Sequence, residues 1–107
     1  MRELIEFVAA RLDEDESAAA WEGRPGAGHD PARVEREVRA RRAVLAVAAS
    51  AWEEMEAVTA DPGAGGEARA MALGKMTTAM TILLHLASVW DDHPAYGRAA
   101  RRGGPAA

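Results

Sequence analysis

The residues best equipped for chemistry gather near the end of the chain, in "SVWDDHPAYGRAARRGG", Ser88 to Gly104. His85, Asp91, Asp92 and His93 form the one cluster whose atoms suit a metal ion. Metal binding needs ligands that converge, and on a continuous helix His85 and Asp92 stand two turns apart, roughly 10 Å. That is too far to share an ion, so the reading is no metal and no cofactor. Two aspartates at the end of a helix also oppose its dipole unless basic groups lie beside them. The stretch therefore reads first as a helix stop and a charged clasp.

Other chemistries find less support. The glycine-rich "DPGAGGEARA" precedes a helix, where backbone amides can receive a phosphate. It lacks the phosphate-loop pattern, because Gly74-Lys75 is followed by Met76 and Arg69 stands where the first glycine belongs. Ser17, Ser50 and Ser88 sit in no nucleophile-elbow context, and His29, His85 and His93 have no visible orienting partner. No catalysis is expected. The run "RVEREVRARR" offers Arg33, Arg36, Arg39, Arg41 and Arg42, with Arg98, Arg101 and Arg102 further on. Such a face can touch phosphates, which keeps a nucleic-acid-associated accessory or regulatory role as the alternative. Glu35 and Glu37 interleave with these arginines, and no stacking aromatics accompany them. The net charge of −4 gives no general attraction to nucleic acid. The disfavoured reading is nucleic acid; the favoured one is a solvated face that pairs with "DEDE", Asp13 to Glu16, and with Asp91 and Asp92.

These side chains are positioned by helices. With 107 residues the chain is the size of one domain, 1–107. Of its apolar residues 26 are alanine and only 26 are larger, so helix propensity is high while buried area is modest. No cysteine is present, which excludes a disulfide framework and thiolate chemistry. The opening "MRELIEFVAARLDEDE" is charged throughout, unlike a secretory signal. The longest nearly uncharged run, Met76 to Trp90, is about 15 residues, short of the roughly 20 that span a bilayer. A soluble cytoplasmic protein with no membrane association is expected.

The first helix should cover about 2–21, with Leu4, Ile5, Val8 and Leu12 at helical spacing and "DEDE" weakening it beyond Leu12. After "EGRPGAGH", Asp30 is a natural N-cap and Pro31 fits the first helical position. The second helix should run over about 31–60, carrying the seam Val34, Val38, Arg41, Leu45, Ala48, Trp52, Met55 and Thr59, with Arg41 as its misfit. The third should run over about 67–90, with Leu73, Met76, Met80, Leu83, Ala87 and Trp90 on one stripe. Ile82, Leu86 and Val89 form a second stripe, which predicts burial on more than one side. Gly74 weakens this helix by about 1 kcal/mol relative to alanine. The tail, 91–107, has room for a short last helix around "PAYGRAARR", with flexible final residues.

A short connection makes the second and third helices antiparallel neighbours. Pairing Ala60 with Glu67 makes facing positions sum to about 127, which places Trp52 near Met76, Leu45 near Ile82 and Val38 near Trp90. In this register Glu53, Glu54 and Glu56 fall beside Lys75 and Arg69, and Arg36 and Arg39 beside Asp91 and Asp92. The fold class is all-α: a small helical bundle built on a long antiparallel helical hairpin, with a shorter N-terminal helix.

Three stretches taken together, "FVAARLDEDE", "HDPARVEREVRARRAVL" and "DDHPAYG", resemble an actinobacterial family of short proteins, domain-of-unknown-function family 6221. The resemblance implies an actinobacterial or phage origin and brings no known activity. It implies that His29, Asp30 and Pro31, with Asp92, His93, Pro94 and Tyr96, belong to a shared element. Members of that family usually carry a strand-like insert before the "HDPARV" element and cysteines before "DHP". Both are missing here, so zinc has no cysteine ligands to land on.

The functional expectation is a non-catalytic protein–protein interaction module with an unidentified protein partner, most simply a homodimer packed through the second and third helices. The residues expected at such an interface are Val38, Arg41, Leu45, Trp52, Met76, Met80, Leu83 and Trp90. The second helix outreaches the first by roughly 15 Å, so one short helix cannot cover the whole hairpin. In a dimer the Arg41 head would reach an acidic group such as the "DEDE" turn of the other copy.

Overall fold

The structure is a computed structural model that describes residues 1–22 and 30–103, the side chains of 19–22, 31, 102 and 103 excepted. The connection "GRPGAGH", the His29 of the shared element and the last four residues lie outside the described residues. Four helices follow in order: α1 (Arg2–Glu22), α2 (Pro31–Ala60), α3 (Gly66–Ala87) and α4 (Tyr96–Gly103). A 3-10 turn, Ser88–Trp90, extends α3. No strand occurs among the described residues.

The start of α2 follows from its sequence. The Asp30 carboxylate accepts from the N–H groups of Ala32 and Arg33, at 3.1 and 3.4 Å, and Pro31 needs no partner for a nitrogen that carries no proton. Asp61 ends the helix and its side chain accepts from Gly63 N–H at 2.8 Å, which folds the chain back into α3. Arg69 then holds the turn by donating to the carbonyls of Ala64 and Asp61, at 3.2 and 3.3 Å.

The α2–α3 hairpin has the expected register to within a helical turn, because the Lys75 ammonium meets the Glu54 carboxylate at 3.1 Å. Arg69 serves the turn instead of the glutamates. Glu56 faces Arg2 of α1 at 3.9 Å.

α1 runs antiparallel to α2. Its N-terminal end lies at Glu56, and Asp13 and Glu16 bind Arg42 at 2.6 and 2.7 Å. The acidic stretch does not weaken α1, which continues unbroken to Glu22. Asp13, Asp15 and Glu16 meet arginines of α2 and Glu14 meets Arg11 one turn back, so the charges support the helical conformation.

The core lies between α1 and one face of the hairpin. Leu4, Leu12, Leu83 and Val8 are its largest fully buried side chains, joined by Phe7, Val38, Ala48, Ala51, Ala79, Ala87 and Ala99. Ile5, Leu45, Trp52, Met76, Met80, Leu86, Trp90 and Tyr96 pack against it.

The expectation that α3 is buried on both stripes is corrected. Ile82 and Val89 of the second stripe are exposed, as is Leu73 of the first. α1 is a single helix, and no other described element covers the far side. By length and composition the segment Gly66–Trp90 is apolar enough to cross a membrane, which the count of uncharged residues alone does not reveal, and 22% of its most apolar window is buried.

The molecule is correspondingly long and thin, 59 × 26 × 17 Å, with a radius of gyration of 16.5 Å. A compact domain of this length would have about 13 Å.

Asp30→Ala removes both capping bonds and is expected to lower the unfolding free energy by about 1 kcal/mol. Urea denaturation followed by circular dichroism measures it, and an unchanged midpoint would show that the cap does not anchor α2.

Candidate functional site: an aromatic clasp and an open hairpin face

Two surfaces are distinctive, and the chain end "WDDHPAY" builds the first. Trp90, His93 and Tyr96 arrive on the 3-10 turn, the following bend and the start of α4. All three turn their rings onto Phe7 of α1. Phe7 meets Trp90 edge-on with ring centres 6.4 Å apart, His93 edge-on at 5.5 Å and Tyr96 tilted at 6.1 Å. Such arrangements set the positive ring edge against a negative ring face.

Arg11, one turn along α1, completes the knot. Its guanidinium lies 5.2 Å from the centre of the Phe7 ring, contacts the His93 imidazole and binds Glu14 at 2.8 Å. Its side chain is only 12% exposed, and Nε is buried without a hydrogen-bond partner. The cation–π contact over Phe7 offsets part of that cost. The His93 Nδ1 also accepts from Ala95 N–H at 3.0 Å, which shapes the turn into α4.

The expected clasp of Asp91 and Asp92 with α2 is corrected. Asp91 and Asp92 are exposed, and among the described residues neither pairs with Arg36 or Arg39. The clasp exists, but it is aromatic and cationic, centred on Phe7 and Arg11. Sequence reasoning missed both residues. The available signal was the spacing of aromatic rings at Trp90, His93 and Tyr96, three residues apart, opposite the one phenylalanine of the chain. Pro94 is exposed between them.

Two of the five arginines on the α2 face, Arg41 and Arg42, are drawn into the fold. Arg42 holds Asp13 and Glu16, and those hydrogen bonds push its pKa further above its ordinary value. Arg33 pairs with Glu37 one turn on, at 3.2 Å. Arg41 lies 3.9 Å from Asp15 and 5.8 Å from the centre of the Trp90 ring, all within one chain. The expectation that Arg41 needs another copy for its partner is therefore corrected: the acidic stretch it reaches is its own. Antiparallel packing of α1 on α2 brings Asp15 alongside the seam. Arg36, Arg39, Arg98 and Arg101 remain exposed.

The residues expected at an interface fall mostly inside this fold. Val38 and Leu83 are core, and Leu45, Trp52, Met76, Met80 and Trp90 pack against it. Their spacing reports the inner seam of the hairpin. The outer face belongs to other residues. There Val47, Met71, Ile82 and Val89 are 66, 57, 48 and 53% exposed, whereas Leu73, 55% exposed, belongs to the inner stripe. Val47, Met71 and Ile82 border a groove of about 800 Å³ between α2 and α3, floored by alanines, Ser50, Gly74 and Thr78. The charged side chains on its walls are Glu54 and Lys75, which neutralise each other.

Among the described residues no group of three or more histidine, aspartate or glutamate side chains is placed to hold a metal. The Ser88 hydroxyl donates to the carbonyl of His85 at 2.6 Å, the i−3 pattern of a helix end.

A small all-α bundle, built on a long helical hairpin clasped on one side by an N-terminal helix, is the class these features define. The chain belongs to the family of unknown function DUF6221, whose profile matches residues 1–101 and so takes in the cap, the acidic stretch and the aromatic clasp. No curated protein and no solved structure matches it.

Phe7→Ala is expected to cost about 3–5 kcal/mol and to free Trp90, seen as a change in tryptophan fluorescence. Arg11→Met, which keeps the stem and drops the charge, should cost less. A loss under about 1 kcal/mol for Phe7→Ala would show that the rings do not hold the C-terminal element. Duplex DNA titrated at physiological salt should bind only weakly and release steeply as salt rises. Submicromolar, sequence-selective binding that needs Arg39 would reverse that reading of the α2 face.

Proposed function

We propose that this chain is a soluble, cytoplasmic, non-catalytic helical interaction module that associates with itself. The observation that carries this reading is the uneven cover of the hairpin. α1 and α4 bury one face, while the other presents large apolar side chains around a groove. Scattered exposed apolar residues are ordinary, but a contiguous patch bordered by polar groups marks an interaction surface.

The thin core points the same way. Among the described residues the larger apolar side chains that are fully buried are Leu4, Val8, Leu12 and Leu83, and small cores commonly gain area from a partner. The absence of cysteine suits a reducing compartment. Ser88 and His93 are engaged in the fold and Ser17, Ser50 and His85 stand exposed, which favours binding over catalysis.

Light scattering across a concentration series tests this reading. A dimer mass is expected at tens of micromolar, an order of magnitude suited to weak association. A monomer mass at every concentration would overturn self-association.

A further inference from the structure

We infer that the groove between α2 and α3 is occupied by the same groove of a second copy, with α3 packed against α3 across the floor that Gly74 provides. This rests on the self-association reading and places its interface.

The first observation is Gly74 itself. A Cβ built there meets no atom within 4 Å, so no neighbour inside the chain requires the glycine. It lies within a regular helix, where glycine is less favourable than alanine. Its effect is to keep the floor of the groove low, where α3 of another molecule can approach closely.

The second is the form of the face. On α3, Met71, Lys75, Thr78, Ile82, His85 and Val89 recur at three and four residues, the spacing of one helical stripe. From Met71 to Val89 that stripe is about 27 Å long. Its inner counterpart is occupied by the core, and apart from the Lys75–Glu54 ion pair no described element covers the outer stripe.

Charge selects the occupant. Glu54 and Lys75 are ion-paired at 3.1 Å, so the groove is close to neutral although the chain carries −4. A strongly acidic or basic partner would find nothing to match, whereas two copies meet there without like-charge repulsion. A two-fold contact requires a surface that complements itself, and this one joins protruding Met71 and Ile82 to hollows at Gly74 and the alanines.

The area is sufficient. Where both helices are present, along the 22 residues of α3, the face is about 33 Å long and roughly 20 Å wide for two helices 8–10 Å apart, or about 660 Å² per copy. Two copies would bury about 1,300 Å², within the range of about 1,200–2,000 Å² for specific interfaces.

Sedimentation equilibrium of the full chain and two variants tests the inference. Gly74→Trp fills the groove from a position with open space, and Ile82→Glu places a charge on its wall at an exposed site. Both should retain wild-type helicity while weakening the dimer at least about tenfold. A wild-type dimer that both variants leave unchanged would place the interface elsewhere and overturn this inference alone. A monomeric wild type would overturn it together with self-association. Flotation with phosphatidylcholine–phosphatidylglycerol vesicles supplies the remaining outcome. Wild-type binding that both variants abolish would assign the groove to a lipid surface instead of a second copy.

Discussion

The single phenylalanine of α1 anchors the arrangement of the whole chain. Phe7 receives three rings from one short stretch near the C-terminus, Trp90, His93 and Tyr96. The last of these begins α4, so this contact decides where α4 lies and which face of the hairpin is closed. Arg11 sits under the same rings, with one nitrogen short of a partner. A guanidinium tolerates that position because its stem is apolar and its plane can lie over an aromatic face. The packing that shields Arg11 from water also gives it an aromatic face, and without Arg11 the His93 turn would lose a neighbour.

An alanine-rich chain makes this economy necessary. Alanine favours helix without supplying much area to bury, so a few large residues must be concentrated where they count. They line one side of the hairpin, along Leu4, Phe7, Val8 and Leu12 of α1 and Leu83 of α3. The opposite side keeps Val47, Met71 and Ile82 in contact with solvent. A second layer on that side would complete a bundle, and the chain's described elements do not supply it.

Electrostatics sets the direction and register of α1 more than its strength. Exposed ion pairs contribute at most about 1 kcal/mol each, yet Arg2 with Glu56 and Arg42 with Asp13 and Glu16 agree on a single antiparallel alignment. A parallel alignment would bring the acidic stretch of α1 towards the glutamates Glu53, Glu54 and Glu56. Arg41 and Arg42 of α2 are thus matched by acids of α1 and Arg33 by Glu37 of its own helix, while Arg36 and Arg39 stay exposed.

Local chemistry was legible in the sequence. Asp30 and Pro31 set the start of α2, "DPGAGG" its end, and a short turn the antiparallel hairpin, because capping, proline geometry and loop length act over a few residues. The inner seam, from Val38 through Leu45 to Trp52, was readable for the same reason, since its period belongs to one helix. The outer face was not. Alanine lies on every side of α2 and α3, so apolar periodicity marks where burial is possible without saying which side receives α1. Only the packing of α1 chose between the two stripes of α3, burying Leu83 and leaving Ile82 outside. The partners of Arg41 and of the "DDHPAY" element were likewise decided by tertiary structure. Those contacts join residues tens of positions apart, and no local rule of spacing or propensity reaches across that separation.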